Sequence, residues 1–103
     1  MSILFIIKCQ EDKYYLGLTN NFVSIFFTHF ENHNNILWLN IYKPIAILHI
    51  KQFFDVNMLD DCVIHYMYIY GIENVRGGIY DNLIFNLTQY KEITDKIYEI
   101  YNV

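Results

Sequence analysis

Several groups of side chains in this sequence have types and spacings that bear on chemistry. His29 and His33 stand four positions apart, the spacing at which two imidazoles on one helical face bind zinc. No third ligand lies near them in sequence, so ordinary packed or hydrogen-bonded histidines are the simpler account, with His29 near Tyr15. Cys9, Cys62 and His65 offer ligand atoms but no closely spaced pair, which favours core residues over a metal site. Tyr66, Tyr68, Tyr70 and Tyr80 could stack nucleobases, but single-strand binders also need a positive groove. Asp60 and Asp61 suit the first turn of a helix, and the pair also offers carboxylate oxygen to a hard divalent cation, the lesser reading.

Charge narrows the partners. Seven basic residues against eleven acidic ones give a net charge of −4, and Lys8, Lys13, Lys43, Lys51, Arg76, Lys91 and Lys96 are scattered singly. No run of cations can neutralise a row of phosphates, so tight binding of nucleic acid is not expected. Hydrophobic residues make up 54% of the 103 residues, which excludes a disordered chain and suits a single domain with one core. No apolar run approaches the roughly 20 residues that span a bilayer, and Ile3–Ile7 is too short for a signal-peptide core. The expectation is an intracellular protein with reduced cysteines, neither secreted nor in a membrane.

The elements that would position these residues follow from patterning. Ile3–Cys9 and Tyr14–Thr19 flank the polar turn at 10–13 and read as a hairpin. Asn20 or Asn21 caps a helix running to about Phe30, with an apolar arc wider than one core-facing side needs. Residues 36–41 read as extended, Pro44 as an edge, and Ile45–Ile50 as a third strand. Asn57 resembles the cap of a second helix that reaches Tyr70 and ends at Gly71 in a left-handed conformation. Leu83–Leu87 reads as a short strand, and Thr88 as the cap of a last helix to about Tyr101.

Phe5, nine intervening residues and then Tyr15-Leu16-Gly17, followed by a capped helix, a third strand and an acid-started helix, resemble the GIY-YIG nuclease superfamily. The stretch YGIENVRGGIY, Tyr70–Tyr80, and the YKPI at Tyr42–Ile45 are similar to short GIY-YIG-like proteins of large DNA viruses. The resemblance covers about residues 2–87 and leaves 88–103 as a C-terminal helix. It implies a small α/β (α+β) domain over 1–103, with a three-stranded central antiparallel or mixed sheet flanked by helices. The implied order is β-β-α-β-α plus the C-terminal helix.

Members of that superfamily cleave DNA by metal-dependent hydrolysis. The resemblance implies a tyrosine in each of the first two strands, an arginine on the first helix, often a lysine after the second strand, and a metal-binding glutamate on the second helix. Developing negative charge needs fixed cations, and a hard metal needs carboxylate oxygen. On this chain the first tyrosine falls on Phe5, the lysine on Leu18 and the arginine on Ile25. Tyr15, Gly17 and His29 match, and the glutamate falls on Asp61, or on Asp60 after a slip of one. Each such loss costs about 10²–10⁴ in rate, so Tyr15, His29 and Asp61 read as catalytic remnants. Arg76 lies in a segment that the viral relatives carry in addition to the helix arginine.

The expectation is therefore a catalytically degenerate domain without a cofactor, in which Phe5, Leu18, Ile25 and Phe27 turn the former active-site face apolar. Such a face suits a protein partner or self-association. The implied setting is the cytoplasm of an infected cell or a virion. The competing expectations are a residual nuclease using Mg²⁺ or Mn²⁺ at Asp61, and nucleic-acid binding without cleavage.

Overall fold

The computed structural model describes residues 2–21, 23 and 36–102. The expected first helix, with Ile25, Phe27, His29 and His33, lies outside them. The fold is α+β, a four-stranded mixed sheet flanked by helices. Strand β1 is Ile3–Cys9, β2 is Lys13–Thr19, β3 is Pro44–Lys51 and β4 is Val75–Gly77, in the spatial order β3-β1-β2-β4. β1 pairs antiparallel with β2 and β3, while β2 pairs in parallel with β4.

β1 is central, and its run Ile-Leu-Phe-Ile-Ile is buried on both faces, as a continuous apolar strand requires. On one face Ile6, Tyr14 and Leu16 pack against Val63, Ile64 and Met67 of helix α2 (Leu59–Tyr70) and Ile93 of helix α3 (Leu87–Tyr101). On the other, Phe5, Ile7 and Cys9 pack against Trp38 and Leu39 of the short helix α1 (Leu37–Ile41). Both cysteines are free thiols, Cys9 buried and Cys62 half-buried. Among the described residues, no helix is long and apolar enough to cross a membrane.

Both sheet edges are blunted. Opposite β1, the pairs Ile6–His49 and Ile7–Ile47 leave Leu48 unmatched, and Lys8–Ala46 with Cys9–Pro44 leaves Ile45 unmatched. These two bulged residues are exposed, and bulges with a leading proline discourage pairing with another chain. β4 has only three residues before Gly77 and Tyr80 exchange backbone hydrogen bonds of 3.0 and 2.9 Å and turn the chain away.

Several local expectations are corrected. Residues 37–41 are helical, because a helical turn lets Trp38 and Leu39 both reach the sheet and sets Tyr42 edge-on to Trp38 at 4.7 Å. Asp55, not Asn57, caps the turn before α2 by accepting from Asn57 N at 3.0 Å. Gly71 ends α2 at φ 104, ψ 142, which is not the left-handed helical conformation. Residues 83–87 form no strand. Asn86, two residues before Thr88, caps α3 in a reciprocal box with Gln89, at 2.8 and 3.0 Å.

Candidate functional site

Tyr15 opens the candidate site. Its ring lies on the α1 side of the sheet, 6.3 Å from the Phe5 ring, at the wall of a cleft of about 390 Å³. Ile36, Leu37, Arg76, Asp81 and Leu83 line the same cleft. Burial pushes the Tyr15 phenol above its ordinary value, and the Asp81 carboxylate pushes it further. A phenol held neutral in this way is a poorer base, and a phosphodiester entering here meets Asp81.

Arg76, the chain's one arginine, is opposite Tyr15 in the β2–β4 ladder and only 3% exposed. Its Nε donates to Asn82 O at 2.7 Å, its Nη1 to Ile72 O and Val75 O at 2.7 Å each, and its Nη2 to Leu83 O at 3.1 Å. Four of its five N–H groups are therefore spent on carbonyls. Its guanidinium lies between the rings of Trp38 and Phe85, at 4.5 and 4.0 Å from their centres. Burial holds its pKa down to about 10. The carbonyls of Asn82 and Leu83, at the expected start of a strand, thus serve Arg76 instead of a ladder.

The next residues of that stretch are architectural as well. Asp60 Oδ1 accepts from Ile79 N at 3.0 Å and closes the turn at Gly77–Tyr80. Gly78 sits at φ 56, and a β-carbon there would strike the same Asp60 oxygen. Asp60 thus holds the turn with that oxygen.

Other residues singled out by sequence do not converge on the cleft. Phe5 is 0% exposed and packed in the core, which corrects its placement on a contact face. Its ring lies over Gly17, its cross-strand partner. Leu18 pairs across the ladder with Leu4, and strand alternation points it to the α2 face, away from Phe5 and Tyr15. Asp61 is exposed on α2, on the far side of the sheet from Tyr15. Ile25, Phe27 and His29 fall outside the described residues.

Among the described residues, no three His, Cys, Asp or Glu side chains are close enough together to hold a metal ion. Cys9 lies in the α1-side core, while Cys62 packs on the α2 side. His65 Nδ1 is 2.6 Å from the Tyr101 hydroxyl. The tyrosines stack on one another: Tyr70 on Tyr14 at 4.2 Å and Tyr68 on Tyr101 at 4.0 Å, which occupies ring faces a base would need. Sequence reading missed Trp38, the single tryptophan, whose Nε1 donates to Tyr14 O at 3.0 Å and whose ring covers Arg76. It also missed Asp81, for which no spacing signal exists.

Compared with protein-family models, with curated proteins and with solved structures, the chain matches none.

Proposed function

We propose that this chain is a catalytically degenerate GIY-YIG-like domain that serves as a protein-contact module, working in an infected cell or within a virus particle. The observation that carries the loss of catalysis is the Arg76 cage. The one guanidinium beside Tyr15 spends four of its five N–H groups on carbonyls and lies between two rings, which leaves a single N–H for a pentacovalent phosphate and none of the forked pair that would grip it. Support for the resemblance itself is the motif set Tyr15-Leu16-Gly17 and Tyr70–Tyr80.

The contact surface in this reading is the apolar rim around the cage rather than Phe5 and Leu18. Leu37, on the cleft wall, and Ile41 of the same helix are exposed; Ile84, which lines a neighbouring pocket with Trp38, Phe85 and Arg76, is 81% exposed, and Leu87 at the start of α3 is 89% exposed. Aliphatic side chains this bare beside the cage support a protein contact there. The test pairs two measurements. Supercoiled DNA incubated with the chain and Mg²⁺ or Mn²⁺ stays uncut, and a Leu37→Glu/Ile84→Glu variant loses self-association or the partner co-purified from infected cells. Cleavage that Tyr15→Phe abolishes, or association unchanged in the double variant, overturns the reading.

A further inference from the structure

A second surface lies between α2 and α3 and adjoins that rim, since Ile72, Glu73 and Tyr90 also line a pocket with Ile84. The two helices share a buried cluster that includes Met67 and Ile93, and between them lies a groove of about 510 Å³. Tyr68, Ile72, Glu73, Tyr90, Ile97 and Tyr98 line it. Tyr68, Tyr90 and Tyr98 are all large, rigid and partly exposed, the residue type enriched where proteins bind one another.

The charge of the groove indicates what it would hold. Glu73 is the only charged side chain among the described residues that line it, and it is exposed. The ion pairs among described residues, Lys8–Asp12 and Lys91–Asp95, do not include it. Two cations lie on its other side, in a neighbouring pocket that Glu73 also lines: Arg76, buried with its N–H groups on carbonyls, and Lys13, whose Nζ donates to Asn74 Oδ1 at 2.7 Å and forms no ion pair with Glu73. Tyrosine faces carry negative potential and attract cations, so Tyr90 and Tyr98 with one carboxylate favour a guanidinium or ammonium group, one face of Tyr68 being taken by Tyr101. The net charge of −4 favours a basic partner for this groove.

From this arrangement we infer that the α2–α3 groove is a docking site for a peptide segment of a partner protein that presents an arginine or lysine flanked by apolar side chains. The cationic group sits at Glu73, and its alkyl stem and neighbours lie along Tyr90, Ile97 and Tyr98. The residues that test it, Glu73 and Tyr98, are not those that test the rim, Leu37 and Ile84, so its failure leaves that reading intact.

The probe is a library of random twelve-residue peptides displayed on phage and panned against the folded chain. The selected peptides are expected to share one cation beside apolar residues. A synthetic selected peptide is expected to bind Glu73→Gln and Tyr98→Ala at least tenfold more weakly, with unchanged melting curves for both variants. Replacing the peptide's own cation with glutamine tests the same contact on the unaltered protein and is expected to give the same loss. No enrichment, enriched peptides without a cation, or equal binding to Glu73→Gln overturns the inference. A dimer in sedimentation that Tyr98→Arg dissociates puts a second copy in the groove and overturns it as well.

Discussion

The ring of Phe5 lies directly over Gly17, its partner across the β1–β2 ladder, so that a β-carbon on Gly17 would overlap the ring. The glycine of Tyr15-Leu16-Gly17 is thus required by packing in this chain, whatever the chemistry of its neighbours. Gly17→Ala is expected to cost about 1–3 kcal/mol as an overpacked core. Urea unfolding measures it. In the Phe5→Leu background the same substitution is expected to cost clearly less, since the atom it collides with has gone. Equal costs in both backgrounds would refute the contact as the cause.

Arg76 gives a prediction that separates architecture from phosphate handling. Lysine keeps the charge but not the planar fork, and leaves buried carbonyls at Ile72 and Val75 without donors. Arg76→Lys is expected to lose about 2–4 kcal/mol of stability. Its retention on immobilised DNA is expected to match that of the unaltered chain at every salt concentration. A stable variant with weakened DNA retention would return Arg76 to the role of phosphate ligand.

Asp60 and Asp61 are adjacent in sequence and differ in consequence. Asp60→Ala removes the acceptor that closes the Gly77–Tyr80 turn and is expected to cost about 1–2 kcal/mol. Asp61 is exposed, and its replacement by alanine is expected to cost less than about 1 kcal/mol, the size of a first-turn charge effect. Thermal melts with EDTA and with Mg²⁺ check both. A stabilisation by Mg²⁺ that Asp61→Ala abolishes would show a metal site at the helix start.

Elements with long-range periodicity were legible in the sequence: the hairpin, β3, α2 and α3 all stand where their patterns put them, within a few residues. What was not legible depends on partners far away in sequence. β4 is three residues long and exists because Val75, Arg76 and Gly77 find Tyr14, Tyr15 and Leu16. Residues 83–87 look like a strand, but the carbonyls of Asn82 and Leu83 are taken by Arg76. The face on which Leu18 lies was legible too. Tyr15 and Leu18 are separated by three positions, an odd number, so a strand puts them on opposite faces. The Arg76 cage had no sequence signal, because its hydrogen-bond partners are main-chain oxygens common to all residues.

Burial of ionisable but neutral side chains makes the fold sensitive to alkali. Burial pushes the Cys9 thiol up to about 12 from 9.0, and Cys62, Tyr14, Tyr15, Tyr66 and Tyr101 are all raised, chiefly by burial. For each raised group the folded chain holds its proton more tightly than the unfolded one. Its stabilising contribution is complete below the unfolded value and is lost as pH climbs towards the folded one. Arg76 works in the opposite sense, since burial lowers its folded value to about 10 and deprotonation then relieves the folded state. One group of that sign stands against six of the other. The melting temperature is therefore expected to hold steady to about pH 9 and then fall by several degrees towards pH 11. Cys9→Ala, though less stable at neutral pH for the volume it removes, is expected to show a shallower fall. A melting temperature that is flat or rising across that range, or an equally steep fall in Cys9→Ala, would show that these buried groups do not govern the alkaline limit.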